Sequence, residues 1–381
     1  MKIAFLCTDF REDRRDYAKT APCFAPGSTS LFQGFASKPG VEMHVISCTQ
    51  RPVAAPEKLA PNIWFHGLHV PKIGWLRTGY QGCIRAVRRK LKELQPDIVH
   101  GIGTERDCGI SAVFSGFPNV VTMAGVMSEQ ARLFPPSFGS YLWLTARLEN
   151  FILSRAGGVI GNSLYSEALV RSRARKTWVV YPALRRAFFE PPPDAAPRPC
   201  VLLNAGVISP RKRQLELLDV AEALHRRGLK FAFHFIGVLP SEPYAAAFLE
   251  KIKPMEAKSY ARYLGTLPES ELAAGFDSVA GSVHFPLEDA APAAVCEALA
   301  RNLKFFGAQV GGIVELAGGV PGAELFEKDD WAGLTDAIAR WIEQGHPRPV
   351  EAAAVMRQRF HPESIARQHL EIYHEVLESR S

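Results

Sequence analysis

The stretch that decides the fold is Leu287–Leu316, which reads LEDAAPAAVCEALARNLKFFGAQVGGIVEL. Two of its acids, Asp289 and Glu297, lie eight positions apart. A short helix is predicted between Asp289 and the apolar run LKFFGA, because Pro292 has the fixed φ that suits a first helical turn. The apolar run predicts a buried strand. The stretch therefore predicts a helix followed directly by a strand, as in an α/β protein.

The same stretch allows two interpretations of its acids. The free N–H groups and the positive dipole end of the predicted helix form a seat for a diphosphate, and the carboxylates of Asp289 and Glu297 beside it suit sugar hydroxyls. Alternatively, Asp289 is the N-cap of an Ala-rich helix and Glu297 is a solvated helix position. Both interpretations require the helix.

The residues after the helix favour the first interpretation. An acid at Asp289, seven residues, Glu297, a short strand, and then Gly311, Gly312 and Glu315 occur in this order. This order resembles the signature of retaining GT-B glycosyltransferases of family 4, in which a glutamate, seven residues, a second glutamate, a strand and a GG-x-x-E turn build the donor site. Asp289 stands where the family has its first glutamate.

The resemblance implies an α/β fold of GT-B type, with two Rossmann-like doubly wound domains that face a cleft. Strand-like and helical runs alternate along the chain, which indicates βαβ units on parallel sheets. Five prolines in PPPDAAPRP predict a linker at 191–199, because proline cannot continue a helix or a central strand. We expect an acceptor-side domain at 1–190, a nucleotide-sugar domain at 200–360, and a final helix at 361–381 that returns to the first domain.

A basic cluster follows the linker in LLNAGVISPRKRQLELL. Arg211, Lys212 and Arg213 lie at a predicted helix start, where cations are unfavourable unless an anion joins them. In the family, a glycine and a lysine six positions later contact the donor diphosphate, and Gly206 and Lys212 match that spacing. Val207 stands where the family often has an arginine, so Arg211 or Arg213 would supply a second cation. The alternative is a solvated basic turn.

The resemblance also implies roles for these residues. Asp289, Lys212 and Arg211 are expected to be catalytic, and Asp289 holds hydroxyls of the donor sugar. The expected donor-binding residues are Gly206, Arg213, Glu297, Gly311, Gly312 and Glu315. Glu297 would bind the ribose hydroxyls, because a carboxylate is a bidentate acceptor.

The implied reaction is front-face transfer with retention of the anomeric configuration, in which the leaving phosphate takes the acceptor's proton. Lysine, arginine and a helix N-terminus can neutralise a leaving diphosphate, and the sequence has no Asp-x-Asp motif. A metal-independent enzyme without a cofactor is therefore expected. Its donor is a UDP-, GDP- or ADP-linked sugar.

Three residues of the first domain are acceptor-side candidates. Gly27 precedes a helix after the first strand, roughly where the family has a glycine-rich loop. His100 matches a strand-end histidine that is common in the family, although such a histidine is as often a packed structural residue. Glu105 follows His100 on a loop.

Length and composition indicate an ordinary globular protein. The chain has 381 residues, of which 47% are hydrophobic and 22% charged, which suits two domains. Its seven cysteines are scattered, without Cys-x-x-Cys or zinc spacing. No apolar run reaches the roughly 20 residues of a membrane span, and MKIAFLCTDF does not read as a signal peptide. These features predict a cytoplasmic protein.

The net charge of +6 is modest, and nucleic acid is not an indicated partner. Basic residues concentrate in IRAVRRKLKEL, at 84–94, where Ile84, Val87, Leu91 and Leu94 have helical spacing. The opposite, basic face is either simply solvated or draws the protein to anionic lipid.

Three functional hypotheses remain at this point. The first is a retaining glycosyltransferase acting on a glycan, lipid-linked or small-molecule hydroxyl. The second is a catalytically degenerate GT-B protein that binds sugar or a partner, which the departures at Asp289, Pro292, Val207 and Ala124 favour. The third is a nucleotide-sugar 2-epimerase on the same fold, which would need an additional base at the sugar carbon.

Overall fold

The computed structural model describes residues 1–190 and 198–379, and the chain divides into two compact units. Unit 1 comprises residues 1–185 together with the segment from residue 360 onward, and unit 2 comprises residues 186–359. Of the predicted linker, residues 191–197 lie outside the described part of the chain.

Unit 1 is built around an eight-stranded sheet in the order β3-β4-β2-β1-β5-β6-β7-β8. All neighbouring strands are parallel except the short edge pair β3 and β4. The strands are β1 (Lys2–Leu6), β2 (Glu42–Thr49), β3 (Lys58–Ala60), β4 (Ile63–His69), β5 (Ile98–Ile102), β6 (Asn119–Thr122), β7 (Val159–Gly161) and β8 (Thr177–Val179). The first helices are α1 (Arg11–Arg14), α2 (Pro26–Ala36), α3 (Gln81–Leu94), α4 (Asp107–Val113), α5 (Met127–Leu133), α6 (Tyr141–Leu153) and α7 (Leu164–Val170).

Unit 2 has a six-stranded, fully parallel sheet in the order β11-β10-β9-β12-β13-β14. The strands are β9 (Val201–Ala205), β10 (Ala232–Ile236), β11 (Ala261–Tyr263), β12 (Gly281–His284), β13 (Lys304–Ala308) and β14 (Ala323–Phe326). The helices are α8 (Gln214–Arg226), α9 (Pro243–Ala257), α10 (Glu269–Asp277), α11 (Ala293–Ala300), α12 (Ile313–Ala317), α13 (Trp331–Glu343) and α14 (Ala352–Phe360).

The last helix, α15 (Pro362–Glu378), packs against α2 within unit 1. The contact is close because Gly34 of α2 has no side chain. A Cβ built there would lie 2.2 Å from the Pro362 carbonyl oxygen. Ile365, Ala366 and Tyr373 of α15 are buried in the same apolar cluster as strands β1 and β2.

The prediction of an α/β fold with two Rossmann-like domains is confirmed by the two parallel sheets. After a leading lysine, β1 and β13 are apolar and buried to their last residue, because helices cover both faces of a parallel sheet. The edge strands β3 and β14 contain no fully buried residue. Within the described residues, no helix combines the length and apolar character needed to cross a bilayer.

Candidate functional site

Two loops of unit 2 bring Lys212 and Asp289 together. The first loop follows β9 and ends in the 3₁₀ turn Pro210–Lys212, and the second follows β12. β9 and β12 are neighbouring parallel strands, so both loops leave the same edge of the sheet. The carboxyl edge of a parallel sheet is where ligands bind in open α/β folds.

Lys212 and Asp289 form a buried ion pair. The Lys212 ammonium donates to Oδ2 of Asp289, and each side chain is 11% exposed. His284, the last residue of β12, donates from Nε2 to the same oxygen at 2.9 Å. Lys212 and Asp289 are 77 positions apart in sequence. They become neighbours because β9 lies next to β12 in the sheet.

The charges of this cluster are well defined. Burial opposes ionisation of Asp289, but the Lys212 ammonium, His284 and Arg211 together outweigh it and hold the pKa of Asp289 well below its usual range. Burial, with the adjacent Lys212 charge, lowers the pKa of His284 to about 4. His284 is therefore neutral at pH 7, with its proton on Nε2, and its buried Nδ1 has no hydrogen-bond partner.

Arg211 adds a second positive charge beside the pair. Its Nη1 donates to the Glu288 carbonyl oxygen at 3.0 Å and lies 3.6 Å from Oδ1 of Asp289. Its side chain is 31% exposed, so this guanidinium is the more accessible cation of the two. The sequence predicted an anion beside the basic cluster, and within the protein Asp289 occupies that position.

Arg213 does not join this cluster. It has a left-handed backbone conformation, with φ 57°, which directs its side chain away from Lys212. Its guanidinium donates to the Lys328 carbonyl oxygen at 2.7 Å, pairs with Asp329 at 3.0 Å and lies 4.5 Å from the centroid of the Trp331 ring. These contacts hold the start of α8 against the start of α13, so the role of Arg213 in the structure is to stabilise the fold.

The paired glycines fix the Asp289 loop. Gly311 has φ +53°, and a Cβ there would lie 2.2 Å from the Asp289 carbonyl oxygen. The N–H of Gly312 donates to that same oxygen at 2.9 Å. Only glycine permits this conformation and this approach together. The glycines therefore position the backbone of the acid.

Gly206 lies beside the Lys212 side chain, because a Cβ at Gly206 would meet Lys212 Cε at 3.9 Å and nothing nearer. The space above Gly206 is thus open. Gly237, which follows β10, packs closely against the backbone of this loop. With φ +145°, a Cβ at Gly237 would lie 2.0 Å from the Gly206 carbonyl oxygen. Gly237 and His284 were not among the predicted site residues. A polar or glycine residue at the carboxyl end of an apolar strand was the available signal.

Glu297 lies on α11, and Glu315 lies on α12. α11 begins at Ala293, directly after Pro292, and no side chain caps it. Asp289 is therefore not an N-cap, and Glu297, only 5% exposed, is not a solvated position. The alternative interpretation of both acids was wrong. Glu315 lies on α12, where Arg359 donates to its carbonyl oxygen at 2.7 Å.

Of the three acceptor-side candidates, His100 is fully buried in unit 1. Its Nδ1 is 2.5 Å from the Tyr373 hydroxyl, and its Nε2 is 2.7 Å from Thr122 Oγ1. Both ring nitrogens therefore bond to side chains of the fold, one of them on α15. Gly27 is half-buried in the first turn of α2. A Cβ built at Gly27 would lie 3.4 Å from the Cβ of Pro182.

Glu105 lies on the loop between β5 and α4, at the carboxyl edge of the unit 1 sheet. The hydroxyl of Tyr141 donates to its carbonyl oxygen at 3.2 Å. Its side-chain Oε2 is buried without a hydrogen-bond partner, and burial raises the pKa of this carboxyl group above its usual value.

Within the described residues, the side chains that could together hold a metal ion are Cys48, Cys83 and Asp107, all buried in unit 1. None of the predicted donor-site residues belongs to that group.

Comparison with known structures identifies the architecture as the GT-B fold of glycosyltransferases. No protein-family description matches the chain, and no curated protein matches its sequence. Sucrose-phosphate synthase from Thermosynechococcus elongatus matches with a TM-score of 0.78 at 16% identity, over 100% of both chains. HepE of Anabaena in complex with UDP-glucose matches with a TM-score of 0.69 at 16% identity, also over 100% of both chains. The lipopolysaccharide outer core galactosyltransferase WaaB matches over 100% of both chains, with a TM-score of 0.67 at 15% identity.

Proposed function

We propose that this chain is a retaining glycosyltransferase of family 4 type, which transfers a sugar from a nucleotide-diphosphate donor to a hydroxyl group. The observation that supports this most strongly is the buried Lys212–Asp289 pair, with Arg211 beside it, at the carboxyl ends of β9 and β12. Solved structures of HepE contain UDP and UDP-glucose, so a uridine-linked donor is the first to test.

In this proposal the donor diphosphate lies over Gly206, against Lys212 and Arg211. Asp289 balances the Lys212 charge until the donor arrives. The diphosphate then competes for the ammonium, and Asp289, held by Gly312 and His284, remains beside the donor sugar and accepts from its hydroxyls. In the first turn of α11 the N–H of Val295 donates to the Pro292 carbonyl oxygen at 3.2 Å. The two N–H groups before it, of Ala293 and Ala294, have no carbonyl oxygen of the helix to donate to and suit a developing negative charge.

The reaction breaks the bond between the anomeric carbon and the phosphate oxygen. A bond from the acceptor oxygen to the same face of that carbon forms, and the acceptor's proton passes to the departing phosphate. Lys212 and Arg211 stabilise the charge that develops on the leaving group, which typically contributes about 3 kcal/mol per donor group. These cations supply the charge that a divalent ion supplies elsewhere, so turnover is expected to persist in a chelator.

Thermal shift of the full chain against UDP-, GDP- and ADP-sugars tests donor binding, because a ligand of the native state raises its Tm. A hit is then assayed for sugar transfer, and the anomeric configuration of the product is determined. The Arg211→Ala variant should weaken the shift, whereas Lys230→Ala, an exposed lysine of unit 2, should not. Absence of a shift with all three nucleotides, or an inverted product, contradicts the proposal.

A second candidate function is binding of a sugar nucleotide or a partner without catalysis. The observation that favours it is that Oδ2 of Asp289 is already bonded by Lys212 and His284, and Oδ1 lies near Arg211. A donor that raises the Tm but is neither hydrolysed nor transferred to any acceptor in a panel would support this candidate.

We also propose peripheral contact of unit 1 with anionic membrane. Arg85, Arg88 and Arg89 are exposed on α3, and none has an ion-pair partner among the described residues. Arg85 and Arg89 line a cavity of about 510 Å³ together with Ile73, which is 81% exposed. Flotation with anionic vesicles should carry the protein at low salt but not at high salt, and neutral vesicles should not carry it. Equal flotation of an Arg85→Gln, Arg89→Gln variant would contradict this contact.

A further inference from the structure

A cationic pocket lies at the carboxyl edge of the unit 1 sheet. Its volume is about 390 Å³, and it is lined by Arg15, Tyr17, Gln50, Arg51 and Lys72. Arg15 follows α1, Gln50 follows β2, and Lys72 follows β4. The strands β4, β2 and β1 are consecutive in the sheet, so these three segments converge at one edge. Ligands of open α/β sheets bind at this edge, and sites for small molecules commonly occupy roughly 300–1,000 Å³.

The side chains that line the pocket include three cations and no carboxylate. Arg15, Arg51 and Lys72 are exposed, and within the described residues none of them forms an ion pair. The Arg51 guanidinium lies 5.5 Å from the centroid of the Tyr17 ring, which restrains it toward the pocket wall. Three like charges around one concavity repel each other, and an anion at their centre removes that repulsion.

The pocket wall is held by buried side chains beneath it. Glu12, 6% exposed, accepts from the Tyr17 hydroxyl at 3.0 Å and from the Gln50 N–H at 2.7 Å through one oxygen. It therefore links the segment after α1 to the segment after β2. Its carboxylate is engaged in the wall and is not one of the lining groups.

A second buried group fixes the same two segments. Arg11, 1% exposed, pairs with Asp9 at 2.6 Å. Through Nη1 it donates to the carbonyl oxygens of Lys19 at 2.6 Å and Ala54 at 2.7 Å. Arg15 has a left-handed backbone conformation, with φ 55°. Such a conformation persists for a non-glycine residue only where its surroundings hold it. The segments that carry Arg15 and Arg51 are therefore held in place by buried contacts of the protein itself.

We propose that this pocket binds a phosphate group of the acceptor, so that the acceptor substrate is a phosphorylated molecule. Two arginines match the geometry of phosphate oxygens bidentately and a lysine adds a point charge. The assignment of the ligand as acceptor rests on the proposed glycosyltransferase function, whereas the phosphate site itself does not. A soluble sugar phosphate and a polyisoprenyl phosphate in a membrane offer the same chemistry.

Calorimetric titration of the full chain with glucose 6-phosphate and with glucose tests the soluble source. Flotation with neutral vesicles that do or do not contain a polyprenyl phosphate tests the lipid source. The double variant Arg51→Gln, Lys72→Gln should bind the phosphorylated probe at least tenfold more weakly. Arg175→Gln, an exposed arginine of unit 1 outside the pocket, is the matched control and should bind like the parent. All three changed residues are exposed, so folding is not at risk.

Binding of glucose 6-phosphate that the double variant loses supports the soluble source, and loss of vesicle capture supports the lipid source. The proposal is overturned if the parent binds neither phosphorylated probe, or if the double variant binds them as the parent does. The UDP thermal shift of the double variant separates this site from the donor site and should equal that of the parent. If the parent binds no nucleotide sugar but loses phosphate binding in the double variant, the pocket stands and its assignment to an acceptor falls.

Discussion

The N–H of Gly312 donates to the carbonyl oxygen of Asp289 at 2.9 Å. This bond joins the two ends of the stretch that first suggested the function, because it sets the backbone from which the Asp289 side chain reaches Lys212 and His284. Within the protein, Gly311 and Gly312 thus fix the backbone position of Asp289. Any contact of these glycines with a sugar would be additional to that role.

Substitution of Gly311 should therefore destabilise unit 2. In Gly311→Ala, the new Cβ would overlap the Asp289 carbonyl oxygen, 2.2 Å away, at a φ of +53°. The matched control is Gly319→Ala, which has φ +72° but nothing within 4 Å of the new Cβ. We expect the control to lose about 1 kcal/mol, the backbone cost alone, and Gly311→Ala to lose clearly more. Denaturant unfolding measures both, and equal losses would show that the overlap relaxes freely.

Removal of one partner of the buried ion pair should destabilise the protein more than removal of both. Lys212→Met leaves the Asp289 carboxylate buried with Arg211 as its remaining cation, 3.6 Å from Oδ1, and removal of one partner of a buried pair costs up to about 3–5 kcal/mol. In Lys212→Met, Asp289→Asn neither member of the pair carries a charge, so most of that loss should be recovered. Free energies of unfolding for the two single variants and the double variant give the coupling energy. Additive losses would mean that the two groups do not interact in solution.

Acid should weaken the fold in two separate pH windows. The pKa of His284 and that of His369 are each lowered to about 4 by burial. Above the ordinary histidine pKa of about 6.5 both folded and unfolded states are neutral, and the full stability is present. As the pH falls from about 6.5 to about 4, the unfolded state binds protons that the folded state does not. Each such group then costs roughly 2–3 kcal/mol. The Asp289 contribution is lost only below about pH 4, since its folded pKa is lower still.

The His284→Asn variant isolates one of these contributions. Asparagine can still donate to Asp289 but does not titrate, so the fall in Tm between pH 7 and pH 4.5 should be smaller than in the parent. His374→Asn changes an exposed histidine of α15 and should leave the pH profile unchanged. An unaltered profile in His284→Asn would show that this side chain is not buried in its neutral form.

Much of this arrangement is foreseeable from the sequence, and the rest has identifiable reasons. Apolar runs predict the strands of both sheets, and Pro292 predicts the helix that follows Asp289. The bond of Asp289 to Lys212, 77 positions away, is not foreseeable, because it depends on β12 lying next to β9 in the sheet. The same applies to His100, whose partner Tyr373 lies 273 positions away. A strand-end histidine gives no sign of whether it faces a ligand or a distant helix.

The sequence placed Arg211, Lys212 and Arg213 together near the expected diphosphate, with Arg211 or Arg213 as the second cation, and the structure separates the two arginines. Arg211 points to the Asp289 loop, while Arg213 is engaged by Lys328, Asp329 and Trp331. The division follows from the left-handed backbone conformation of Arg213. Three consecutive basic residues in the sequence do not predict that conformation.

The two arginines should consequently fail in different ways when each is changed to alanine. Arg211→Ala removes a partly exposed guanidinium beside Lys212 and should lower kcat/KM for the nucleotide sugar by about 10²- to 10³-fold, with little change in Tm. Arg213→Ala removes a buried guanidinium that holds α8 to α13, and should lower the Tm while the protein that remains folded keeps its affinity for the proposed nucleotide-sugar donor. Calorimetric binding of the donor and thermal unfolding, measured on both variants below their Tm, separate the two effects. If Arg213→Ala loses donor affinity at full stability, the division of the cluster inferred from the backbone is wrong, and the diphosphate draws on both arginines.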